Sequence, residues 1–195
     1  MKLIIVNKKR LGVTVIIIGL MLVLFGLENK FDGRLKYAAL IQSNINSLKK
    51  YDIPEVRFSY KLPSNWQTKR QSFSGSEVLY HNDFKSEDGI IHGFVQVWSI
   101  NEDLKSFLDK SQKLNQKYAE YTEYKIAPIV VKKHDGYLIT YSMTTSKEGN
   151  YKGYEYFIKD KDKFIRFAFY VRDINFKENM PTIFKAIVDT FEQNE

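Results

Sequence analysis

Val56-Arg57-Phe58-Ser59-Tyr60-Lys61-Leu62-Pro63-Ser64-Asn65-Trp66 is the stretch from which the fold is read. Val56, Phe58, Tyr60 and Leu62 alternate with Arg57, Ser59 and Lys61. A period of two residues is that of a half-buried strand, with one face on a core and the other in water. Pro63-Ser64-Asn65 then makes a turn, because these residue types favour turn conformations over a sheet ladder. Trp66 follows the turn as a large apolar side chain.

Downstream, the same pattern recurs. Spacing predicts strands at about 67–73, 77–83 and 90–100, with Asp88-Gly89 as the hairpin turn between the last two. Asn101-Glu102-Asp103 predicts a capped helix at 102–118, its acids placed favourably for the helix dipole. Leu104, Phe107, Leu108, Leu114 and Tyr118 are its apolar stripe. Four more strands are expected at about 122–133, 137–146, 151–159 and 163–172. Asp135-Gly136 is the expected type I′ turn of the first pair, and Lys161-Asp162 turns the last. In 163–172, Ile165, Phe167, Phe169 and Val171 fall on one side, and Phe164, Ala168 and Tyr170 on the other. That predicts a strand covered on both faces, with Arg166 and Arg172 opening part of the second to water or a partner. Asn179-Met180-Pro181 starts a last helix at 180–193, proline being at home in a first turn. Ile183, Phe184, Ile187, Val188 and Phe191 form its apolar face. The fold class is α+β, a mostly antiparallel sheet flanked by helices.

Upstream, residues 35–50 carry Ala38, Ile41, Ile45 and Leu48 at helical spacing, which predicts a short amphipathic helix. Such a helix would lie on a membrane, pack on the domain or pair with a copy of itself. Tyr51-Asp52-Ile53-Pro54 is expected to break it, since a proline disfavours helix in the preceding residue. Further upstream, Lys8, Lys9 and Arg10 precede an uncharged apolar run from Leu11 to Leu27. As a helix this run is about 25 Å long, near the lower limit for crossing a bilayer. Its exit, Leu24-Phe25-Gly26-Leu27-Glu28-Asn29, lacks the small residues of a signal-peptide cleavage site. The expectation is an uncleaved, single-pass anchor at 11–27. The positive-inside rule puts residues 1–10 in the cytoplasm and the rest outside. A juxtamembrane helix or linker at 28–53 would then lead to one extracytoplasmic domain at 54–195.

The net charge of +7 is misleading when read whole. Four of the 30 Lys and Arg, and no acid, lie at or before Arg10. That leaves 26 cations against 23 acids, a mild +3. The cations after the run alternate with acids, as in Lys159-Asp160-Lys161-Asp162-Lys163, rather than forming a basic stripe. No nucleic-acid partner is expected. The absence of Cys removes disulfides, thiol catalysis and Cys-ligated metal. The 14 Phe and 13 Tyr supply a core without them. The bias to Lys, Ile, Asn and Tyr is that of a low-GC bacterium.

The run Phe58-Ser59-Tyr60-Lys61-Leu62-Pro63-Ser64-Asn65-Trp66 resembles the common opening of the PsbP/Mog1 superfamily. That opening is an alternating apolar strand ending in Leu-Pro, then two small turn residues and Trp. The hairpin into one capped helix, the four-strand meander and the last helix with a Phe near its end fit as well, over roughly 54–193. The resemblance implies a PsbP/Mog1-like domain. It also implies a role in binding or assembly, since family members include extrinsic photosystem subunits, a Ran-GTPase-binding protein and bacterial envelope proteins. No family ligand residue carries over.

The residues themselves offer little chemistry. His134 precedes the Asp135-Gly136 turn and is expected to be exposed. With a turn at Asp88-Gly89, His81 faces Gln96 and His92 faces Lys85, which separates the two imidazoles by about 13 Å. A zinc site needs three or four ligands, and none is placed to help. Glu87/Asp88 and Glu102/Asp103 belong to a turn and a cap. G-x-S-x-G is absent. Gly149-Asn150-Tyr151-Lys152-Gly153 is too short for a phosphate loop. No catalytic residue, cofactor or metal is assigned, and the chain is not expected to be an enzyme. Tyr137, Tyr141, Tyr151, Tyr154, Tyr156 and Tyr170 lie on adjacent strands beside Arg166 and Arg172. Tyr and Arg are enriched at interface hot spots. The expected partner-binding face is therefore Tyr137, Tyr141, Tyr154, Tyr156, Arg166, Tyr170 and Arg172, facing a protein or a cell-wall polymer. The alternatives are a VirB8-like subunit of a conjugation or secretion machine, and an envelope hydrolase. A pocket holding His81 or His92 beside a carboxylate would point to the hydrolase.

Overall fold

The computed structural model describes residues 14–21, 33–36, 38–41, 45, 47–75, 77–115, 120–145 and 149–194. Seven strands form one antiparallel sheet: β3 (Gln67–Gln71), β4 (Val78–Lys85), β5 (Ile91–Ser99), β9 (Lys163–Arg172), β8 (Gly149–Asp160), β7 (His134–Thr145) and β6 (Glu120–Val131), in that spatial order. A smaller sheet holds β1 (Leu48–Ile53), β2 (Phe58–Pro63) and β10 (Glu192–Gln193), with β2 in the middle. Two helices pack on the large sheet, α1 (Leu104–Asn115) and α2 (Met180–Val188), the latter preceded by a 3-10 turn at Asp173–Asn175.

Alternation along the strands divides the large sheet into two faces with different cover. The first face carries Val95, Val97, Tyr156, Ile158, Ile165, Phe167, Phe169 and Val171. It packs on α2 and on Ile53, Phe58, Tyr60 and Leu62 of the small sheet. Phe169 lies flat on Phe184 at 4.5 Å, and Phe58 on Phe191 at 4.5 Å. The second face carries Ile139, Tyr141, Phe157 and Phe164, covered by Leu104, Phe107 and Leu108 of α1. Asp103 caps α1, its carboxylate accepting from the backbone N–H of Lys105 at 3.0 Å.

The structure corrects the sequence reading in four places. Residues 48–53, expected in a helix and linker, form β1. Tyr51 lies flat on Tyr60 at 5.5 Å, and Ile53 is fully buried. Sheet pairing with β2 outweighs a helical spacing built on a few residues. Helix does occur at 33–36 and 38–41, and it packs on the domain: Ala39 is buried and Lys36 pairs with Asp189 at 2.5 Å. At the other end α2 stops at Val188 rather than near 193. The Thr190 hydroxyl donates to Ile187 O at 2.6 Å and accepts from the Lys61 N–H at 2.8 Å, turning the chain onto β2. Phe191 enters the core from this turn, and β10 pairs Gln193 with Phe58.

The third correction is the β6–β7 turn. Val131 pairs with His134, so the turn is Lys132-Lys133, with φ of 49° and 74°. Gly136 belongs to β7 instead, where a Cβ would lie 2.0 Å from Phe157 O. His134 is half-buried rather than exposed, its ring edge-on to Phe58 at 5.3 Å. Left-handed conformations cost a non-glycine residue roughly 1–2 kcal/mol, and Asn-Gly suits a type I′ turn. Lys132→Asn/Lys133→Gly is therefore expected to stabilise the domain by about 1 kcal/mol and raise Tm by about 2–4 °C. Thermal unfolding followed by circular dichroism checks this; an unchanged Tm would contradict it. The fourth is that the tyrosines expected on one partner-binding face are divided between the two faces of the large sheet.

Most of the expected anchor at 11–27, and all of the basic segment 1–10, lie outside the described residues. Residues 14–21 are helical, and Val15, Ile16, Ile17, Ile18, Leu20 and Met21 are all exposed. Among the described residues no helix is long and apolar enough to cross a membrane.

Candidate ligand- and partner-binding face

The seven expected face residues do not share a face. Leu138, Tyr156 and Phe167 lie in register across β7, β8 and β9, as do Thr140, Tyr154 and Phe169, all on the first side. Tyr156 is buried there, and Tyr154 packs on Phe176 and Phe184 beside α2. Tyr137, Tyr141, Arg166, Tyr170 and Arg172 fall on the second side. The split follows from strand alternation: Tyr154 and Tyr156 are even positions on β8, while the second face takes Tyr151, Gly153, Glu155 and Phe157.

Glu155 organises the second face, although the sequence reading passed over it. It is 5% exposed. Its Oε2 accepts from Arg166 Nε at 2.9 Å and lies 2.6 Å from Nη2. Its Oε1 accepts from the hydroxyls of Tyr141 at 2.6 Å and Tyr170 at 3.1 Å. Gly153 makes room for this arrangement, since a Cβ there would meet the Tyr141 ring at 2.4 Å. Arg166 also spans the rings of Phe94 at 4.9 Å and Phe157 at 5.4 Å, a cation–π contact on each side. Burial works against its charge, while the Glu155 carboxylate, with Tyr170 and Tyr141, works the other way, and the balance holds its pKa above the ordinary guanidinium value. The signal that was available is the lone acid of Gly153-Tyr154-Glu155-Tyr156-Phe157, at an inward position of an aromatic strand.

A cleft of about 620 Å³ opens over this cluster, between α1 and the sheet. Trp98, Phe107, Leu114, Tyr121, Tyr124 and Met143 line its more accessible parts. Burial, then the nearby Glu155 carboxylate, push the Tyr124 hydroxyl up to about 12. A larger cavity of about 770 Å³ lies at the β4–β5 turn, beside Trp66 and the start of α2. Two of its three acids serve the turn itself: Asp88 accepts from Ser86 Oγ at 2.6 Å, and Glu87 accepts from Asn65 at 2.7 Å.

The β4–β5 register is the expected one, with His81 opposite Gln96 and His92 opposite Lys85. His81 is buried in a chain of hydrogen bonds. Trp98 Nε1 donates to Gln96 Oε1 at 2.9 Å, which aims the Gln96 amide nitrogen at His81 Nδ1 at 2.7 Å. Nδ1 is then an acceptor, so the proton sits on Nε2, which donates to Asp83 Oδ1 at 2.7 Å. Gln71 completes the chain by donating to Asp83 Oδ2. These bonds tie β3, β4 and β5 together, and His81 is not in the wall of the cleft. His92 does line the cleft, with its ring against Tyr151 and Tyr170. Both oxygens of the carboxylate in that wall are bonded to Arg166, Tyr141 and Tyr170 rather than to an imidazole. Among the described residues no three His, Asp or Glu side chains gather as they would around a metal ion.

No protein-family model matches this sequence. No curated protein matches it either. Among solved structures it is similar to PsbP (CyanoP) from Synechocystis sp. PCC 6803, over 76% of this chain and 94% of that one, at 13% identity and a TM-score of 0.58. The fold is PsbP-like. Weaker likenesses are to a Bacteroides thetaiotaomicron protein (15% identity, TM-score 0.49, 75% of this chain and 48% of that one). A Pseudomonas aeruginosa protein of unknown function is similar at 11% identity and a TM-score of 0.45, over 77% of this chain and 99% of that one. The PsbP-like fold places the cleft where one helix covers only part of the sheet.

Burial holds the pKa of Tyr60, Tyr80, Tyr141, Tyr156 and Tyr170 above that of a free phenol. A group whose folded pKa is raised adds stability that is fully present below its unfolded value, about 10 for Tyr. That stability is lost as pH rises towards the folded values. Above pH about 10, the tyrosinate absorbance of these five phenols is expected to appear in one cooperative step with loss of near-ultraviolet circular dichroism. Gradual ionisation of these phenols in a chain that stays folded would contradict this.

Proposed function

We propose that this chain is a non-catalytic binding or assembly module of the bacterial envelope. Residues 11–27 hold it in the membrane with residues 1–10 in the cytoplasm, and the PsbP-like domain works outside. The exposed apolar side chains of 14–21 support the anchor. The observation that carries the binding role is the uneven cover of the large sheet. The first face is closed by α2 and the small sheet, whereas the second leaves an aromatic cleft lined by Tyr121, Tyr124, Tyr141, Tyr170 and Arg166. Aromatic and Arg side chains around a partly open depression are what a hot spot is built from. Every oxygen of the charged cluster beneath is bonded within the protein, which suits recognition better than proton transfer. Tyr154 and Tyr156 have no part in this reading.

The test is site-specific photocrosslinking of the full-length chain in native membranes. A crosslinker at Leu114 or Arg172, on the second face, is expected to trap a recurrent protein or wall polymer. The same group at Ile174, exposed in the 3-10 turn, is expected not to. Equal products from all three positions would sink the proposal, as would recovery of the chain in the soluble fraction.

A further inference from the structure

The charged pair in the cleft wall is used unequally. Glu155 has both oxygens taken, Oε1 by the hydroxyls of Tyr141 and Tyr170, and Oε2 by Nε and Nη2 of Arg166. Those contacts fill the acceptor sites of a carboxylate. A guanidinium carries five N–H donors in one fixed plane. Glu155 occupies the Nε–Nη2 edge of Arg166. Among the described residues nothing accepts from Nη1 or from the second N–H of Nη2. Phe94 and Phe157 cover the guanidinium at 4.9 and 5.4 Å, one from each neighbouring strand. The approach left to a guest is therefore in the plane, along the Nη1–Nη2 edge. Exposure agrees with this, since 23% of the Arg166 side chain is accessible against 6% of that of Glu155.

An apolar end lies close to this edge. Phe164 and Arg166 are successive second-face residues of β9, about 7 Å apart along the strand. Trp98 stacks on Phe164 at 6.1 Å, and Phe107 of α1 packs on it at 5.2 Å. Trp98, Phe107, Phe164 and Arg166 all line the cleft, as does the exposed Leu114. A guest thus meets apolar rings at one end and a guanidinium edge at the other, with no free carboxylate oxygen between them.

We propose that this cleft binds an organic carboxylate, its two oxygens on the Nη1–Nη2 edge of Arg166 and its apolar body along Trp98, Phe107 and Leu114. A planar carboxylate matches such an edge with two parallel, charge-assisted hydrogen bonds. The volume suits a small molecule. An ammonium guest would find the one carboxylate of the wall already saturated. A purely apolar guest would cover N–H donors without accepting from them, which is costly.

The probe is 2-naphthoate, titrated into the full-length chain in maltoside micelles, with binding read from saturation transfer to its ring protons and protein-free micelles as the blank. Its amide, 2-naphthamide, has nearly the same shape without the charge. Saturable naphthoate binding, with the amide at least about tenfold weaker, is the expected result. Equal binding of the two would overturn the proposal, because the cleft would then select apolar shape alone. Absence of saturable naphthoate binding would overturn it as well. Glu155→Met/Arg166→Met removes the pair without leaving a buried charge. It is expected to bind naphthoate no better than the amide, and undiminished naphthoate affinity in that folded chain would also count against the proposal. Octanoate identifies the source. Tighter binding than naphthoate points to a fatty acid and weaker binding to an aryl acid, and either outcome supports the site. The inference rests on the second face being a binding surface. Crosslinks at Leu114 that persist without naphthoate binding would remove the carboxylate and leave that surface standing.

Discussion

Gly93→Ala is expected to destabilise the domain by about 3 kcal/mol or more, the upper end of what overpacking a core costs. Gly93 lies in β5 opposite Phe169 of β9, at the centre of the seven-stranded sheet. A Cβ built there falls 1.8 Å from Ala168 O and 2.8 Å from Phe84 Cζ. The first of these atoms is backbone in the neighbouring strand, so no rotamer change relieves it. The two central strands must separate, which loosens the Phe84–Phe169–Phe184 stack. At about 2–4 °C per kcal/mol for a chain of this size, Tm should fall by 6 °C or more. Gly75→Ala is the control, because its Cβ would meet nothing within 4 Å. A Gly93→Ala chain that melts with the Gly75→Ala chain would refute this account of the sheet centre.

The second large effect is expected at Glu155. Glu155→Ala leaves Arg166 charged, since guanidinium does not deprotonate, and it removes the acceptor of two tyrosine hydroxyls. Breaking a buried pair by deleting one partner costs about 3–5 kcal/mol. The lower end applies here, because the Arg166 side chain is still 23% exposed and keeps some contact with water. The double variant Glu155→Met/Arg166→Met removes both charges and is expected to regain most of the loss. Urea unfolding of the two single variants and the double variant measures the coupling. Equal losses in Glu155→Ala and the double variant would mean that packing, not an unpaired charge, sets the cost.

Much of the fold was legible from local pattern. The strand 163–172 was placed with its observed ends, and its division into Ile165-Phe167-Phe169-Val171 and Phe164-Arg166-Ala168-Tyr170 is the division into two cores. The hairpin register that pairs His81 with Gln96 followed from one turn signal, because a tight turn fixes every pair behind it. Local signals failed where a distant segment decided. Asp135-Gly136 has the composition of a type I′ turn, yet Gly136 is there to let β8 approach. The turn falls on two lysines with no preference for it. β1 and β10 carry weak strand patterns, and they are strands because β2 has two open edges to satisfy.

For the candidate site, residue types were legible and their arrangement was not. The richness in Tyr and Arg was evident, but seven residues on neighbouring strands were treated as one surface. Position along β8 sends Tyr154 and Tyr156 to the core under α2, and Glu155 to the opposite side. Glu155 was invisible as a site residue because its importance lies in three partners on two other strands.

The sequence by itself determined the α+β class, the meander, the apolar faces of both helices and the basic flank of residues 11–27, all of which are properties of short windows. Only the tertiary structure decided which tyrosines line the cleft and that Arg166 is held by Glu155. Those are properties of strand order and of charge placed within a few ångströms across strands, and no window of the chain contains them.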